Sequence, residues 1–128
     1  MWSDRYYYLN LCKDINLSGI VNTHSLLVFL SSFPELVQKS NYGFNNINGF
    51  PFVEILVLHA SSINSWSEEN FNKEKSNLIV VVCEKGNSEN FEKIKEVLIK
   101  ISNFINWEIV DEATDDGNEN VVIWKPSL

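Results

Sequence analysis

The sequence predicts an α+β fold in which helices cover one face of a mainly antiparallel sheet. Two short segments, FVEILVLHA at 52–60 and NLIVVVCE at 77–84, are nearly continuous apolar runs rich in β-branched residues, which is typical of buried strands. The segment SENFEKIKEVLIKISNFIN at 88–106 repeats apolar residues at helical spacing. The runs at 107–114 and 119–126 flank an Asp-Gly pair and predict a closing β-hairpin.

The first predicted strand is RYYYLNLCKDI at 5–15, which the Ser18-Gly19 pair follows. Alternation gives this strand two faces. One face carries Tyr6, Tyr8, Asn10 and Cys12, and the other carries Tyr7, Leu9 and Leu11. We expect Trp2 and the run Tyr6–Tyr8 to cover one face of the sheet, and the alternative is a recognition surface.

A first helix is predicted to begin with Asn22 or Thr23 as its cap. Its apolar stripe is Leu26, Leu27, Phe29 and Leu30. The stretch SFPE restarts a helical pattern, since Pro34 suits a first helical position and Ser32 with Glu35 forms a capping box. We therefore expect a helix that breaks near Phe33 and ends at about Lys39.

The remaining segments are assigned by their turn residues and their spacing. The stretch NYGFNNINGFP at 41–51 is rich in Asn and Gly and is predicted to be a loop. The polar stretch 60–76 is predicted to be a second, longer loop or a single helical turn. In the second helix Ser88 is the expected cap, and the buried stripe is Phe91, Ile94, Leu98, Ile101 and Ile105.

The predicted order of strand, helix, two strands, helix and two strands is that of a ferredoxin-like β-α-β-β-α-β sheet with an added C-terminal hairpin strand. Both helices would then cover one face, although the strands at 52–60 and 77–84 are apolar on both faces. The second face is expected to be covered by the 60–76 loop, a partner, or a second copy of the chain in a homodimer. The alternative fold is a three-layer α/β sandwich with helices on both faces.

Length and composition indicate one globular domain over residues 1–128. Hydrophobic residues make up 45% of the chain, which excludes a disordered protein. The net charge of −7 argues against nucleic acid and anionic membranes as partners, because both need a cationic surface. No positively charged leader precedes an apolar run, and Cys12 and Cys83 lie in predicted strands as free thiols. We therefore expect a cytoplasmic protein.

Catalytic motifs are missing from the sequence, so we expect no enzyme, no metal and no cofactor. The two histidines, His24 and His59, lie at a helix start and at a strand end, without a paired nucleophile. A small enzyme that uses His59 as a base and a small-molecule-binding ferredoxin-like domain are the alternatives.

The stretch DEATDDGNEN at 111–120 is the most acidic in the chain. A calcium loop with Gly117 at its sixth position would place Ile123 at the twelfth, where a glutamate ligand is needed. A metal site is therefore not expected here. Asp116-Gly117 instead predicts a tight turn that leaves its carboxylates exposed to a basic partner.

A second acidic loop carries Trp66, Glu68 and Glu69. Together with the turn at Asp115, Asp116 and Glu119, it gives this small, Asn- and Ile-rich domain a resemblance to the immunity proteins of bacterial contact-dependent inhibition and related polymorphic toxin systems. The resemblance implies tight, stoichiometric binding to a cognate basic toxin domain, often a nuclease, without catalysis. The predicted partner-binding residues are Trp66, Glu68, Glu69, Glu112, Asp115, Asp116 and Glu119.

Overall fold

The structure is a computed structural model that describes residues 4–63 and 71–126. Its helices are α1 (Thr23–Ser31) and α2 (Ser88–Ile105). Its strands, in chain order, are β1 (Tyr6–Cys12), β2 (Val21–Asn22), β3 (Leu36–Ser40), β4 (Gly43–Asn46), β5 (Val53–Leu58), β6 (Lys75–Ser76), β7 (Leu78–Glu84), β8 (Glu108–Ala113) and β9 (Glu119–Trp124).

Seven strands form one sheet in the order β3-β4-β5-β7-β1-β8-β9, and every neighbouring pair in it is antiparallel. The short strands β2 and β6 pair separately. The predicted α+β class is therefore confirmed. The predicted strands at 5–15, 52–60 and 77–84 and the closing hairpin are all present.

Both helices pack on the same face of the sheet. Leu26 and Leu30 of α1 share one buried cluster with Ile94 and Ile101 of α2 and with inward-facing residues of the central strands. The two helices also touch each other, since the rings of Phe29 and Phe104 are stacked with centroids 3.8 Å apart. The three-layer alternative is therefore wrong, because it requires one helix on the opposite face.

A second buried cluster lies on the other face of the sheet. Leu17, Ala60 and Ile63 come from connections rather than from strands, and they pack on this face. The strand residues beneath them are Cys12, Leu58, Leu78, Val80 and Val110. Connecting segments thus cover part of this second face. The sequence alone left the 60–76 loop, a partner and a second copy of the chain as candidates for covering it.

The predicted continuation of the first helix is wrong. The helix ends at Ser31, and the next segment, Leu36–Ser40, is strand β3. The Ser32 side chain bonds back to the carbonyl of Phe29, which closes the helix instead of opening a new one. Pairing with β4 supplies backbone partners to β3, and Leu36 becomes buried in the helix-side core. Tertiary pairing overrides the local helical signals here.

The predicted loop at 41–51 is wrong in part, because it contains strand β4. Phe44 pairs with Ile55 of β5 and is fully buried. The turn after β4 is held by the Asn46 side chain, which accepts from the backbone N–H of Val53 and donates to the carbonyl of Phe50. Strands β3 and β4 enlarge the sheet, so its strand order differs from the predicted five-stranded arrangement.

The helix caps are asparagine side chains. Asn22 accepts from the backbone N–H of Ser25 at 2.8 Å, as one of the two predicted caps of α1. Asn87, not Ser88, caps α2 by accepting from the N–H of Asn90 at 2.8 Å. The difference of one residue follows from backbone conformation, since Asn87 is extended and Ser88 is already helical. Neither helix in the described part of the chain is long and apolar enough to cross a membrane.

The long connection between β5 and β7 is anchored by buried polar contacts. The Asn77 side chain donates to the carbonyl of Ala60 at 2.9 Å and accepts from its N–H at 2.8 Å. The Thr23 hydroxyl donates to the carbonyl of Asn72 at 2.7 Å and lies 2.6 Å from the hydroxyl of Ser76. These contacts fasten the connection to strand β5 and to the start of helix α1.

Candidate protein-binding surface

Carboxylates from four parts of the chain meet at one end of the sheet. The N-terminal end of β1, the C-terminal end of β7 and the tip of the β8–β9 hairpin lie together, because Tyr6 pairs with Glu84 and Leu9 pairs with Asp111. We call this surface the acidic end. Its carboxylates are Asp4, Glu84, Asp111, Glu112, Asp115, Asp116 and Glu119. The basic side chains that adjoin them are Arg5 and Lys85, so this end carries most of the net charge of −7.

The hairpin tip has a defined shape. Thr114 donates its backbone N–H to the carbonyl of Asn118 at 2.9 Å, and the Gly117 N–H donates to the carbonyl of Thr114 at 3.1 Å. Gly117 has a φ of +89°, a conformation that glycine adopts without strain. The predicted turn at Asp116-Gly117 is confirmed. The Thr114 hydroxyl donates to Asp116 and holds the pKa of that carboxyl below its ordinary value.

An ion pair between Lys85 and Asp115 joins the hairpin to the body of the protein. The Lys85 Nζ atom lies 2.6 Å from the Asp115 Oδ1 atom, and it also lies 5.1 Å from the centroid of the Tyr7 ring. The Lys85 side chain is only 14% exposed, whereas that of Asp115 is 70% exposed. The ammonium group therefore approaches the hairpin from the protein side and leaves the outer side of Asp115 in solvent.

Asp111 is the buried member of the acidic end. It is 6% exposed, and its Oδ1 atom accepts a hydrogen bond from the Ala113 N–H at 3.2 Å. Burial raises the pKa of the Asp111 carboxyl above its ordinary value, while the Ala113 hydrogen bond and the Lys85 charge act in the opposite direction. In its ionised form Asp111 adds negative potential beneath the exposed hairpin.

The structure brings four of the seven predicted partner-binding residues together. Asp115, Asp116 and Glu119 are exposed on the hairpin, and Glu112 is half-buried at its base. The other three predicted residues, Trp66, Glu68 and Glu69, lie outside the described residues.

Sequence reasoning missed the contributions of Asp4 and Glu84 to this surface, and it placed Asp111 in the acidic stretch without predicting its burial. One signal pointed to Asp111. Alternation from Trp107 through Ile109 places it on the inward face of β8, where a carboxylate is unusual. No signal pointed to Glu84, because only sheet pairing places it beside the start of β1.

The described contact of His59 is with the backbone and not with a nucleophilic side chain. The Nδ1 atom of His59 lies 3.2 Å from the backbone carbonyl of Lys75, which is the contact of a strand-end residue with a neighbouring connection. Burial raises the pKa values of the Cys12 and Cys83 thiols to about 12, so neither is a ready nucleophile. Within residues 4–63 and 71–126, no group of three or more His, Cys, Asp or Glu side chains is arranged to hold a metal ion.

Replacing Asp111 by asparagine is expected to stabilise the protein relative to wild type as the pH rises. The pKa of the Asp111 carboxyl is raised in the folded state, so the protonated carboxyl contributes to stability at pH values below its pKa in the unfolded chain. This contribution is lost as the pH rises through its pKa in the folded protein. The amide keeps an oxygen to accept the Ala113 hydrogen bond, and it carries no charge to desolvate. Urea unfolding at a series of acidic to neutral pH values measures the difference.

Asp116→Asn is the matched control, with the opposite sign. The pKa of Asp116 is lowered, so its contribution is present above the unfolded pKa and is lost as pH falls through the folded pKa. Parallel stability curves for Asp111→Asn and wild type would contradict the assignment of Asp111 as a desolvated carboxylate.

No protein-family model, curated protein or solved structure matches this chain. Function is therefore inferred from the chemistry of the acidic end and from the surfaces around it.

Proposed function

We propose that this protein is a non-catalytic binding protein that docks a basic protein domain on its acidic end and neutralises it by forming a tight complex. The observation that supports this most is that carboxylates from the segment preceding β1 and from β7, β8 and β9 lie at one end of the sheet. Like charges gathered in this way repel one another and do not stabilise the fold. A cationic partner bound at this surface offsets that repulsion, and its attraction to the carboxylates favours the complex.

The acidic end has the properties that fast and specific association requires. Exposed carboxylates attract a basic domain over a distance of about one Debye length, roughly 8 Å at physiological salt. The hairpin hydrogen bonds and the Lys85–Asp115 ion pair hold the carboxylates in place before the partner arrives. Little conformational entropy then has to be lost on binding.

Recognition through side chains fits this protein better than addition of a strand to the sheet. The two edge strands of the sheet, β3 and β9, each carry a register shift that marks a bulge. One shift lies between Gln38 and Ser40, and the other lies opposite Ile109 and Val110. Bulges at an edge disfavour pairing with another strand. The proposed partner therefore contacts the hairpin tip rather than the backbone of an edge strand.

Charge reversal tests the proposed docking surface. Asp116→Lys combined with Glu119→Lys is expected to slow association with the partner by about tenfold at low salt and by less at high salt. Stability is expected to change little, because both side chains are exposed. The partner is captured from the source cell's lysate or expressed from the neighbouring gene. Both rate constants are then measured at two ionic strengths.

The control for this experiment is Glu92→Lys combined with Glu96→Lys. It changes the net charge by the same amount, but it acts on the exposed side of helix α2. If both variants slow association equally, net charge alone matters, and docking on the acidic end is contradicted.

We also propose that the core of the sheet is a ferredoxin-like unit that β3, β4 and β9 enlarge. Strands β1 and β5 are each antiparallel to β7, which lies between them, and β7 and β8 are each antiparallel to β1. The connection from β1 through α1 to β5 passes over β7, and the connection from β7 through α2 to β8 passes over β1. These two crossovers support the ferredoxin-like arrangement. Cross-strand amide contacts in NMR spectra test it, and a β1 that pairs on only one side would contradict it.

A further inference from the structure

Helix α1 has more apolar surface than its own fold covers. None of its nine residues is Asp, Glu, Lys or Arg. Leu26 and Leu30 are buried, Leu27 and Phe29 are half-buried, and Val28 is 57% exposed. A helix that is apolar around most of its circumference is expected to be covered on more than one side. The outer side of α1 is therefore a candidate contact surface.

The exposed side of α1 continues onto α2 through aromatic contacts. The ring of Phe29 stacks on Phe104, which is 52% exposed, and its centroid lies 5.2 Å from that of Phe33. Phe29, Phe33 and Pro34 line an open cavity of about 260 Å³ beside them. We call Phe29, Phe33, Pro34 and Phe104 the aromatic patch. Phe104 is the exposed ring of this patch, and an exposed aromatic ring beside an open cavity is typical of protein contacts.

Two opposite charges border the same cavity. Glu35 comes from the segment after α1, and Lys100 comes from α2. Helix α2 as a whole is neutral, since it carries Glu89, Glu92 and Glu96 against Lys93, Lys95 and Lys100. This side of the molecule therefore does not repel a second copy of the chain, in contrast to the acidic end.

We propose that the aromatic patch is a homodimer interface, in which two copies of the chain meet about a two-fold axis. In such a contact the same surface of each copy is buried. If residue i of one copy touches residue j of the other, then residue j of the first copy touches residue i of the second. Phe104 of each copy covers the patch of the other. Lys100 of each copy faces Glu35 of the other. The surface is thus complementary to itself in charge.

This interface leaves the acidic ends of both copies accessible. Glu89 marks the end of α2 beside the acidic end, and Phe104 lies fifteen residues further along the helix. At a rise of 1.5 Å per residue the two points are roughly 22 Å apart. The dimer would present two acidic ends, each able to bind one basic domain. The inference does not depend on the proposed function, because it is tested on the protein alone.

Sedimentation equilibrium over a wide range of protein concentration tests the proposal. Wild-type protein is expected to dimerise as concentration rises, and Phe104→Ser is expected to weaken dimerisation by at least about tenfold. Phe71→Ser is the matched control, since Phe71 is 42% exposed but stacks on Tyr42, away from the aromatic patch. A wild-type protein that stays monomeric at every concentration would overturn the proposal. So would a dimer that Phe104→Ser does not weaken.

A charge-swap experiment tests the two-fold pairing itself. Glu35→Lys alone places two lysines at each contact, and Lys100→Glu alone places two glutamates there. Each variant is expected to dimerise about tenfold more weakly than wild type. An equimolar mixture of the two restores Lys opposite Glu at both contacts, so dimers are expected to return in the mixture. A mixture as weak as the separate variants would refute this arrangement.

Discussion

Replacing Phe44 by alanine is expected to lower the free energy of unfolding by about 3–5 kcal/mol. Phe44 lies in strand β4, within a segment whose composition is that of a loop, yet its side chain is fully buried in the helix-side core. Its removal takes a large aromatic side chain out of that core and leaves a cavity that the neighbouring strands can fill only in part. Urea unfolding followed by circular dichroism measures the change.

The control for this prediction is Ile47→Ala, in the same Asn- and Gly-rich segment. Ile47 is 40% exposed, so its truncation is expected to cost less than about 1 kcal/mol. Equal costs for the two variants would mean that β4 does not pack against the core, and that the segment is a surface loop after all.

Replacing Asn10 by leucine is expected to raise the free energy of unfolding by about 1–3 kcal/mol. The Asn10 side chain is 1% exposed, and among the described residues neither its Nδ2 nor its Oδ1 atom has a hydrogen-bond partner. Its cross-strand neighbours are Val80 and Val110, which are both apolar. The amide loses its hydration on folding and gains nothing in return, whereas leucine packs with the valines. Thermal and urea unfolding check the direction.

The matched control is Asn77→Leu, which is expected to destabilise the protein. Asn77 is 6% exposed, but its amide bonds both backbone groups of Ala60. Leucine leaves that N–H and that carbonyl without partners, at a cost of about 1–3 kcal/mol for each. If Asn10→Leu destabilises as much as Asn77→Leu, an ordered water or bound group satisfies the Asn10 amide in solution.

The acidic end and the aromatic patch divide the surface of this protein by charge. Carboxylates gather where the strands β1, β7, β8 and β9 end or begin, whereas α1 carries no Asp, Glu, Lys or Arg and α2 carries equal numbers of acidic and basic residues. Steering of a basic domain and contact between two copies would thus use different surfaces. Charge reversal on the hairpin and substitution of Phe104 are accordingly expected to act independently.

The sequence by itself determined the elements whose patterns repeat over many residues. Apolar spacing along 88–106 predicted α2, and continuous β-branched runs predicted β5 and β7. Asp116-Gly117 predicted the hairpin, because the turn needs a positive φ that glycine supplies. These signals are local, so they are present in the chain before any long-range contact forms. The acidic character of the hairpin was evident for the same reason.

Only the tertiary structure decided where the short elements and the single polar residues lie. Leu36–Ser40 has the capping residues of a helix, yet it becomes a strand because β4 is available as a neighbour. Glu84 and Lys85 join the acidic end, and Asn10 loses its hydrogen bonds, through pairing between strands far apart in sequence. Such pairings depend on the free energy of burying a whole sheet rather than on local preference, so no short stretch of the chain encodes them.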